Sequence, residues 1–282
     1  MRQIIRQHPA LRDDIADLTT RRPLPSHDLP QLDPFLFLNH HGPQTYPAGN
    51  GGLPFGPHPH RGFETVSFIL AGEMAHLDSG GHESVIGEGG VQWMTAGSGL
   101  VHAEISPESF RQTGGPLEIL QLWVNLPAAL KMSHPAYTGL QAADIPAIPL
   151  EGGTLNLISG EFAGRAGPFA SLTGVAMMTL ELEAGGKVTL PAPQGRTVFL
   201  YVVAGEPLVQ GTRAHEAHLV ELDQGGDSVE IAAEGPVRLL YGHADPIGEP
   251  VAAHGPFVMN TREEIHEAIQ DYQAGKFGAV TL

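Results

Sequence analysis

The feature of this sequence that most constrains its fold is a succession of short apolar runs separated by glycine and proline. In the first half of the chain these runs are FLFL at 35–38, TVSFIL at 65–70, ESVIG at 83–87 and LEILQLWVNL at 117–126. Runs of strand length with turn residues between them are typical of β-sandwiches and small β-barrels. The 36 glycines and 24 prolines favour many turns and few long helices. We therefore expect an all-β fold.

A second series of strand-like runs follows residues 127–153, a proline-containing stretch that is interpreted as a linker. Its members are TLNLIS at 154–159, GVAMMTLEL at 174–182, TVFLYVVAG at 197–205, HLVEL at 218–222, DSVEI at 227–231 and VRLLYG at 237–242. Two such series in a chain of 282 residues predict two similar β domains. We expect the first domain to span residues 1–135 and the second to span residues 150–282.

One α-helix is predicted, and it lies close to the C-terminus. Thr261 is followed three residues later by Glu264, which is the spacing of a capping box. Apolar residues then recur at helical spacing, and they are Ile265, Ala268, Ile269 and Tyr272. Gly275 offers a stop signal. The apolar face is expected to pack on one of the two barrels, so the helix is interpreted as structural.

The charge and the cysteine content exclude several classes of function. With 15 basic and 31 acidic residues the formal net charge is −16, and a field of that sign repels nucleic-acid backbones. The absence of cysteine excludes disulfides, thiolate metal sites and cysteine nucleophiles. No apolar run approaches the roughly 18 residues of a membrane helix, and the polar N-terminus does not resemble a signal peptide. We expect a soluble, cytoplasmic monomer that binds neither nucleic acid nor membrane.

Two pairs of residues carry metal-ligating side chains at a spacing of two. His58 and His60 precede the run at 65–70, and His102 and Glu104 follow the glycine-rich turn in WMTAGSGLVHAEI. A strand sends alternate side chains to one face, so each pair presents both of its side chains on the same side. If the two segments are neighbouring strands, three imidazoles and one carboxylate converge. Such a set suits a first-row divalent metal, and an open coordination position would suit Fe(II) and oxygen chemistry.

The pattern leaves alternatives open. A single His-x-His also arises by chance, and the second pair further along the chain is what favours a metal site. Glu64 competes with Glu104 for the carboxylate role because it shares parity with the two histidines before it, although a bulge at Gly62 would reverse its facing. Periodicity does not choose between the two carboxylates. Five other histidines are interpreted as surface or core residues: His40, His41, His215, His218 and His243.

Three long segments resemble the pirin family of bicupin proteins. Residues 55–104, FGPHPHRGFETVSFILAGEMAHLDSGGHESVIGEGGVQWMTAGSGLVHAE, are similar to the signature block of that family. LDPFLFLNHHGP at 32–43 is similar to the stretch that precedes the block, and GPFVMNTREEIHEAIQDYQAGKFG at 255–278 resembles the tail of the longer members. The resemblance spans nearly the whole chain.

The resemblance implies a bicupin, that is, two cupin (jelly-roll) β-barrels with a C-terminal α-helix that crosses back to the N-terminal barrel. In pirins the N-terminal barrel holds Fe(II), and the family's ligand positions fall here on His58, His60, His102 and Glu104. Fe(II), or another first-row divalent metal, is thus the implied cofactor. Glu64 would then support the ligands or be structural. No metal-ligand set is discernible in the second barrel, which resembles the degenerate C-terminal barrel of the family.

Two functions are implied by the resemblance. One is an Fe(II)-dependent dioxygenase that opens quercetin or a related flavonol with O₂ and releases CO. Its catalytic residue would be Glu104, which would take the proton of the substrate hydroxyl. Trp93 and Met94 are candidates for the lining of the substrate cavity. The alternative is a non-catalytic, iron-dependent regulatory protein that binds a transcription factor or a metabolic enzyme.

Overall fold

Strands account for most of the ordered structure, and the computed structural model describes all 282 residues. In chain order the strands are β1 (Ile4–Pro9), β2 (Leu11–Arg12), β3 (Thr20–Leu24), β4 (Phe35–Tyr46), β5 (Phe55–His60), β6 (Phe63–Ala71), β7 (Glu73–Asp78), β8 (Glu83–Gly87), β9 (Val91–Thr95), β10 (Leu100–Ile105), β11 (Gly115–Asn125), β12 (Ala136–Leu140), β13 (Ala147–Ser159), β14 (Glu161–Phe162), β15 (Arg165–Ala166), β16 (Ala176–Pro191), β17 (Thr197–Ala204), β18 (Leu208–Val209), β19 (Thr212–Arg213), β20 (His218–Leu222), β21 (Ser228–Ala232), β22 (Val237–Ala244), β23 (Ala252–His254) and β24 (Phe257–Met259). The helices are α1 (Glu108–Thr113) and α2 (Arg262–Gln273). The predicted all-β fold with a C-terminal helix is confirmed. Neither helix is long and apolar enough to cross a membrane.

The chain forms two compact units. The first-barrel unit comprises residues 12–21, 35–142 and 247–282, and the second-barrel unit comprises residues 1–11, 22–34 and 143–246. Relative to the expected boundaries, 1–135 and 150–282, the N-terminal segments 1–11 and 22–34 lie in the second-barrel unit. Residues 247–282 lie in the first-barrel unit, to which the family resemblance implies that the C-terminal helix returns. The N-terminal difference has a simple cause, because β1 pairs antiparallel with β20 and thereby covers what would otherwise be an edge strand of that sheet.

The first-barrel unit is built from two antiparallel sheets. In one of them β12, β9, β6, β11 and β4 follow one another in that order, and the other has the order β5-β10-β7-β8. Apolar side chains of both sheets share one core cluster, which includes Ile69 and Ile119 from the larger sheet and Met74 and Ile86 from the smaller. The smaller sheet is the one that brings the two histidine-bearing segments together.

The second-barrel unit has an apolar interior. Its main sheet has the order β1-β20-β17-β22-β16-β21-β18-β19, with β13 paired to β16. Buried apolar side chains from seven of these strands form its core, for example Leu157, Met178, Leu200, Val220 and Leu239. At no point in this unit do three potential metal-ligating side chains converge.

The C-terminal helix α2 begins with the predicted capping box. The Thr261 hydroxyl accepts a hydrogen bond from the Glu264 backbone N–H at 3.2 Å, and the Glu264 carboxylate accepts one from the Thr261 N–H at 2.9 Å. Ile265 and Ala268 are buried as expected, but Tyr272 is 40% exposed. Asp271 takes its place on the buried face. Tyr272 therefore lies at the margin of the apolar face, where its ring is 6.3 Å from that of Phe257 and 5.8 Å from that of Phe277. The buried carboxylate of Asp271 needs a partner in the first-barrel unit.

Candidate metal centre

The two histidine-bearing segments are neighbouring antiparallel strands. His58 and His60 end β5, His102 lies on β10, and the strand register places His102 directly opposite His58. The Nε2 atoms of these two residues are 2.9 Å apart. The ligand atoms of all three imidazoles lie within 4.8 Å of one another, and this group is called the histidine cluster below.

Burial keeps two imidazoles of the histidine cluster, those of His60 and His102, in the form that binds metals. His60 and His102 are 3% and 0% exposed. This burial, together with electrostatic repulsion from the neighbouring His58 ring, lowers the pKa of His60 to about 3. Burial and the neighbouring imidazoles likewise hold the pKa of His102 well below its usual value. Both side chains are thus neutral imidazoles near pH 7, and neutral imidazole is the ligand form.

Hydrogen bonds orient two of the three rings. The Nδ1–H of His58 donates to the Gly56 carbonyl at 2.7 Å, which turns Nε2 toward the cluster. His60 Nδ1 lies 3.4 Å from the Pro256 carbonyl. His102 Nδ1 is buried without a hydrogen-bond partner. In the His58–His102 pair, the two rings therefore face each other with their Nε2 atoms.

Glu104 lies near the histidine cluster but is not a member of it. The side chain is buried on β10, two residues after His102. Its Oε1 accepts hydrogen bonds from Gln92 and, at 3.0 Å, from Ser67. Its Oε2 accepts one from Gln121 at 2.7 Å. All three donors are neutral, so they do not balance the charge of this buried carboxylate. A cation bound beside it would supply the opposite charge.

The donor set fits a divalent cation. Three imidazoles converge, two of them buried and neutral, and a buried carboxylate lies close by with neutral partners only. Nitrogen and oxygen ligands without thiolate suit the first-row metals from iron to zinc. The residues that would hold such an ion are His58, His60, His102 and Glu104.

Glu64 lies on the other face of its strand. Ser67, three residues further along β6, contacts Glu104, so the alternation of the strand turns Glu64 away from that carboxylate. Thr95 donates to Glu64 Oε1 at 2.7 Å. Burial raises the pKa of Glu64 to about 7, although hydrogen bonds from Thr95 and Trp93 oppose the shift. Gly62, with φ of +89°, interrupts the alternation between β5 and β6 and explains why parity with the histidines misleads.

Several residues beside the cluster were not singled out from the sequence. Aromatic rings surround His60: the Phe63 centroid lies 5.1 Å from it and the Trp123 centroid 5.5 Å. Phe37 stacks on Trp123 at 4.6 Å. Trp123 and Gln121 are two residues apart on β11, so period-two alternation could have grouped them. That local pattern does not, however, predict which strands lie next to the histidines.

Trp93 and Met94 divide between the two faces of β9. Gln92 contacts Glu104, and Met94 shares its face by alternation, whereas Trp93 points the other way. Met94 packs with Ala96 and Leu100 in a buried cluster. Only Met94 is therefore on the side of the candidate site, and Trp93 does not line it.

A further buried histidine lies close to the cluster. The His76 ring is 5.5 Å from that of His102 and stacks on Tyr137 at 4.0 Å. Its Nε2 is hydrogen bonded to Asp78 Oδ2 at 3.0 Å. Burial acts to raise the pKa of Asp78, but hydrogen bonds from His76 and from the His82 backbone outweigh it and lower the pKa to about 2. Asp78 thus keeps a charge that fixes the His76 ring.

Other histidines occupy separate environments. His40 is hydrogen bonded to Glu118 at 2.9 Å, and His41 to Thr20 at 2.9 Å, both in buried positions. His215 pairs with an exposed carboxylate, that of Glu206. None of these residues belongs to the histidine cluster.

Comparison with known proteins settles the family. The family model described as Pirin matches residues 17–124, and the model described as Pirin C-terminal cupin domain matches residues 177–278. The chain belongs to the pirin family. The two-barrel cupin architecture predicted for it is therefore confirmed.

Similar pirins and related structures cover almost the whole chain. A crystal structure of quercetin 2,3-dioxygenase from Acinetobacter baumannii superposes with a TM-score of 0.93 at 36% identity, covering 100% of both chains. Human Pirin is 40% identical over 267 residues, which are 92% of this chain and 87% of that protein. A Pirin-like protein of Caulobacter vibrioides is 40% identical over 278 residues, covering 98% of each.

Proposed function

We propose that the first-barrel unit holds one Fe(II) ion through His58, His60, His102 and Glu104, and that this pirin uses it to cleave quercetin or a related flavonol with O₂. The observation that carries the proposal is the convergence of three imidazoles, two of them buried and neutral, on neighbouring strands. The likeness to the quercetin 2,3-dioxygenase of Acinetobacter baumannii supports the choice of substrate class.

Glu104 is suited to accept the proton of the flavonol hydroxyl. A carboxylate oxygen offers about two lone-pair sites. Oε1 already accepts two hydrogen bonds, from Ser67 and Gln92, whereas Oε2 accepts one, from Gln121. Oε2 is therefore the atom with room for a metal or a proton. A bound Fe(II) supplies positive charge that favours the resulting flavonolate and the one-electron chemistry that O₂ requires.

Aromatic side chains would hold a planar substrate against the site. Phe37 and Trp123 are both half-buried, and their rings stack at 4.6 Å with an interplanar angle of 25°. Because the Trp123 ring also contacts His60, this pair forms an apolar wall that reaches the histidine cluster. A flat aromatic ligand stacked there would exclude water from the cluster.

The test is turnover by the reconstituted protein. Metal-free protein is loaded with Fe(II) without oxygen and then mixed with quercetin and O₂. We expect quercetin to disappear with consumption of one O₂ and release of one CO per molecule cleaved. Iron binding without turnover would contradict the dioxygenase and favour the alternative, an iron-dependent regulatory protein. Absence of bound iron would contradict the metal centre itself.

The two carboxylates give a matched pair of variants. We expect Glu104→Gln to lower metal affinity about 100-fold or more, because removing even an indirect partner of a metal site typically costs 10- to 100-fold. Glu64→Gln should keep metal affinity close to that of the wild type, since Glu64 faces away from Glu104. Equilibrium titration with Fe(II) measures both. If Glu64→Gln loses the metal and Glu104→Gln keeps it, the assignment of the carboxylate ligand is wrong.

A further inference from the structure

Arg61 directly follows His60 and is buried, with 4% of its surface exposed. Its Nε donates to the Ser98 carbonyl at 2.7 Å, and its Nη2 donates to Asp271 Oδ2 at 2.8 Å. Its guanidinium carbon lies 4.7 Å from the centre of the Phe277 ring. A buried guanidinium needs both a counter-charge and hydrogen-bond acceptors, and here they come from different elements.

The first of these contacts joins the two strands of the histidine cluster. Ser98 lies in the turn that leads into β10, two residues before that strand begins. The backbone N–H of Gly62 donates to the Gly97 carbonyl at 2.9 Å, so the turn before His102 and the turn after His60 are bonded twice. The side chain of Arg61 thereby fixes the distance between the two segments that carry the imidazoles.

The remaining contacts bring in the C-terminal tail. Asp271 belongs to α2, and the pair spans 210 residues of sequence. The Phe277 ring lies so close to Gly99 that an added Cβ there would be 2.6 Å from it, so the turn approaches the ring with no side chain between. Ser79 Oγ donates to the Phe277 carbonyl at 2.6 Å and accepts from the Val101 N–H at 3.1 Å. The tail thus contacts Gly99 in the turn that precedes His102, and it is linked through Ser79 to Val101 directly before His102.

We propose that Arg61 is a positioning residue for the metal centre, and that the C-terminal helix, through Asp271, sets how firmly the histidine cluster holds its metal. The inference rests on the proposed metal centre and assigns to α2 a part in metal affinity. Arg61 does not ligate. It holds the ends of β5 and β10 in the arrangement in which the imidazoles of His60 and His102 face the same point.

The effect on the site follows from what Asp271 supplies. Without its carboxylate, the buried guanidinium would keep only the Ser98 carbonyl and the face of the Phe277 ring, and it would be expected to turn toward water and release Ser98. The strands would remain paired, but the cluster would be less preorganised. Hydrogen bonds from Lys276 and Arg61 lower the pKa of Asp271, so this carboxylate is ionised near neutral pH.

The experiment uses Co(II) as the probe metal on the full chain. Asp271→Asn removes the charge with little change of shape, and Asp271→Glu keeps the charge. Glu267→Gln is the control, because it removes an exposed carboxylate from the same helix. The dissociation constant for Co(II) and the visible absorption spectrum of bound Co(II) are measured at a temperature where circular dichroism shows every variant folded.

We expect Asp271→Asn to weaken Co(II) binding about tenfold and to alter the Co(II) spectrum, as is typical for changes around metal ligands. Asp271→Glu should recover most of the affinity, and Glu267→Gln should match the wild type. A lower melting temperature for Asp271→Asn with an unchanged dissociation constant and spectrum would overturn the inference and leave only a structural ion pair. Wild-type protein that binds no Co(II) would instead overturn the proposed metal centre, and the inference with it.

Discussion

His102→Ala will abolish metal binding and, with it, any oxygen-dependent consumption of quercetin. His102 is fully buried, and its Nε2 lies 2.9 Å from that of His58 while its ring is 4.9 Å from that of His60. Removing it takes one of three imidazoles from the cluster and leaves an apolar hole that cannot ligate. We expect the affinity for Fe(II) to fall by more than about 100-fold, which exceeds the usual cost of a change outside the ligand set.

The measurement is metal content by elemental analysis after anaerobic reconstitution with Fe(II). His243→Ala is the matched control, since His243 is also a buried histidine but lies in the second-barrel unit, outside the histidine cluster. We expect that control to lose stability and keep its iron. Full iron occupancy in folded His102→Ala protein would exclude His102 as a ligand.

Deleting residues from Gly255 onward will destabilise the first-barrel unit although no histidine of the cluster is touched. The deletion removes six apolar side chains that are buried in this unit: Phe257, Val258, Met259, Ile265, Ala268 and Phe277. Large apolar side chains contribute about 1.5–3 kcal/mol each when buried, so the loss is comparable with the roughly 5–15 kcal/mol by which domains are stable. Arg61 and Lys131 also lose acceptors in the deleted segment.

Thermal melts followed by metal analysis test this deletion. We expect the melting temperature of the first-barrel unit to fall by more than about 10 °C, or the unit not to fold, with iron content falling in parallel. A shorter deletion that removes only Thr281 and Leu282, both exposed, is the control and should melt like the full chain. A tail deletion with an unchanged melt and full iron content would show that the tail is dispensable.

Local sequence patterns predicted the strands better than they predicted the limits of the two units. Apolar runs such as 65–70 and 197–205 became buried strands because a strand in a barrel needs only a short apolar stretch between turns. The pairing of β1 with β20 joins segments more than 200 residues apart, and nothing in the residues of either strand specifies it. The assignment of residues 1–11 to the second-barrel unit depends on that pairing and could therefore not be predicted from the local pattern.

The same distinction applies to the candidate site. The two-residue spacing in His58/His60 indicated which side chains share a face, and the structure brings both to His102. The choice between Glu64 and Glu104 depended on the positive φ of Gly62, a conformation that residue type permits but does not dictate. The side chains that donate hydrogen bonds to Glu104 come from three strands of the other sheet. The order of those strands in the sheet depends on the whole fold, so local sequence patterns do not predict it.

The most direct test of the metal centre is the anomalous scattering of a crystal of Fe(II)-loaded protein, recorded at the iron absorption edge. We expect one iron peak per chain in the first-barrel unit, within ligand distance of His58, His60 and His102, and with Glu104 turned toward it. A fully loaded crystal with no peak at the histidine cluster, or with its iron among residues 154–245, would contradict the proposal.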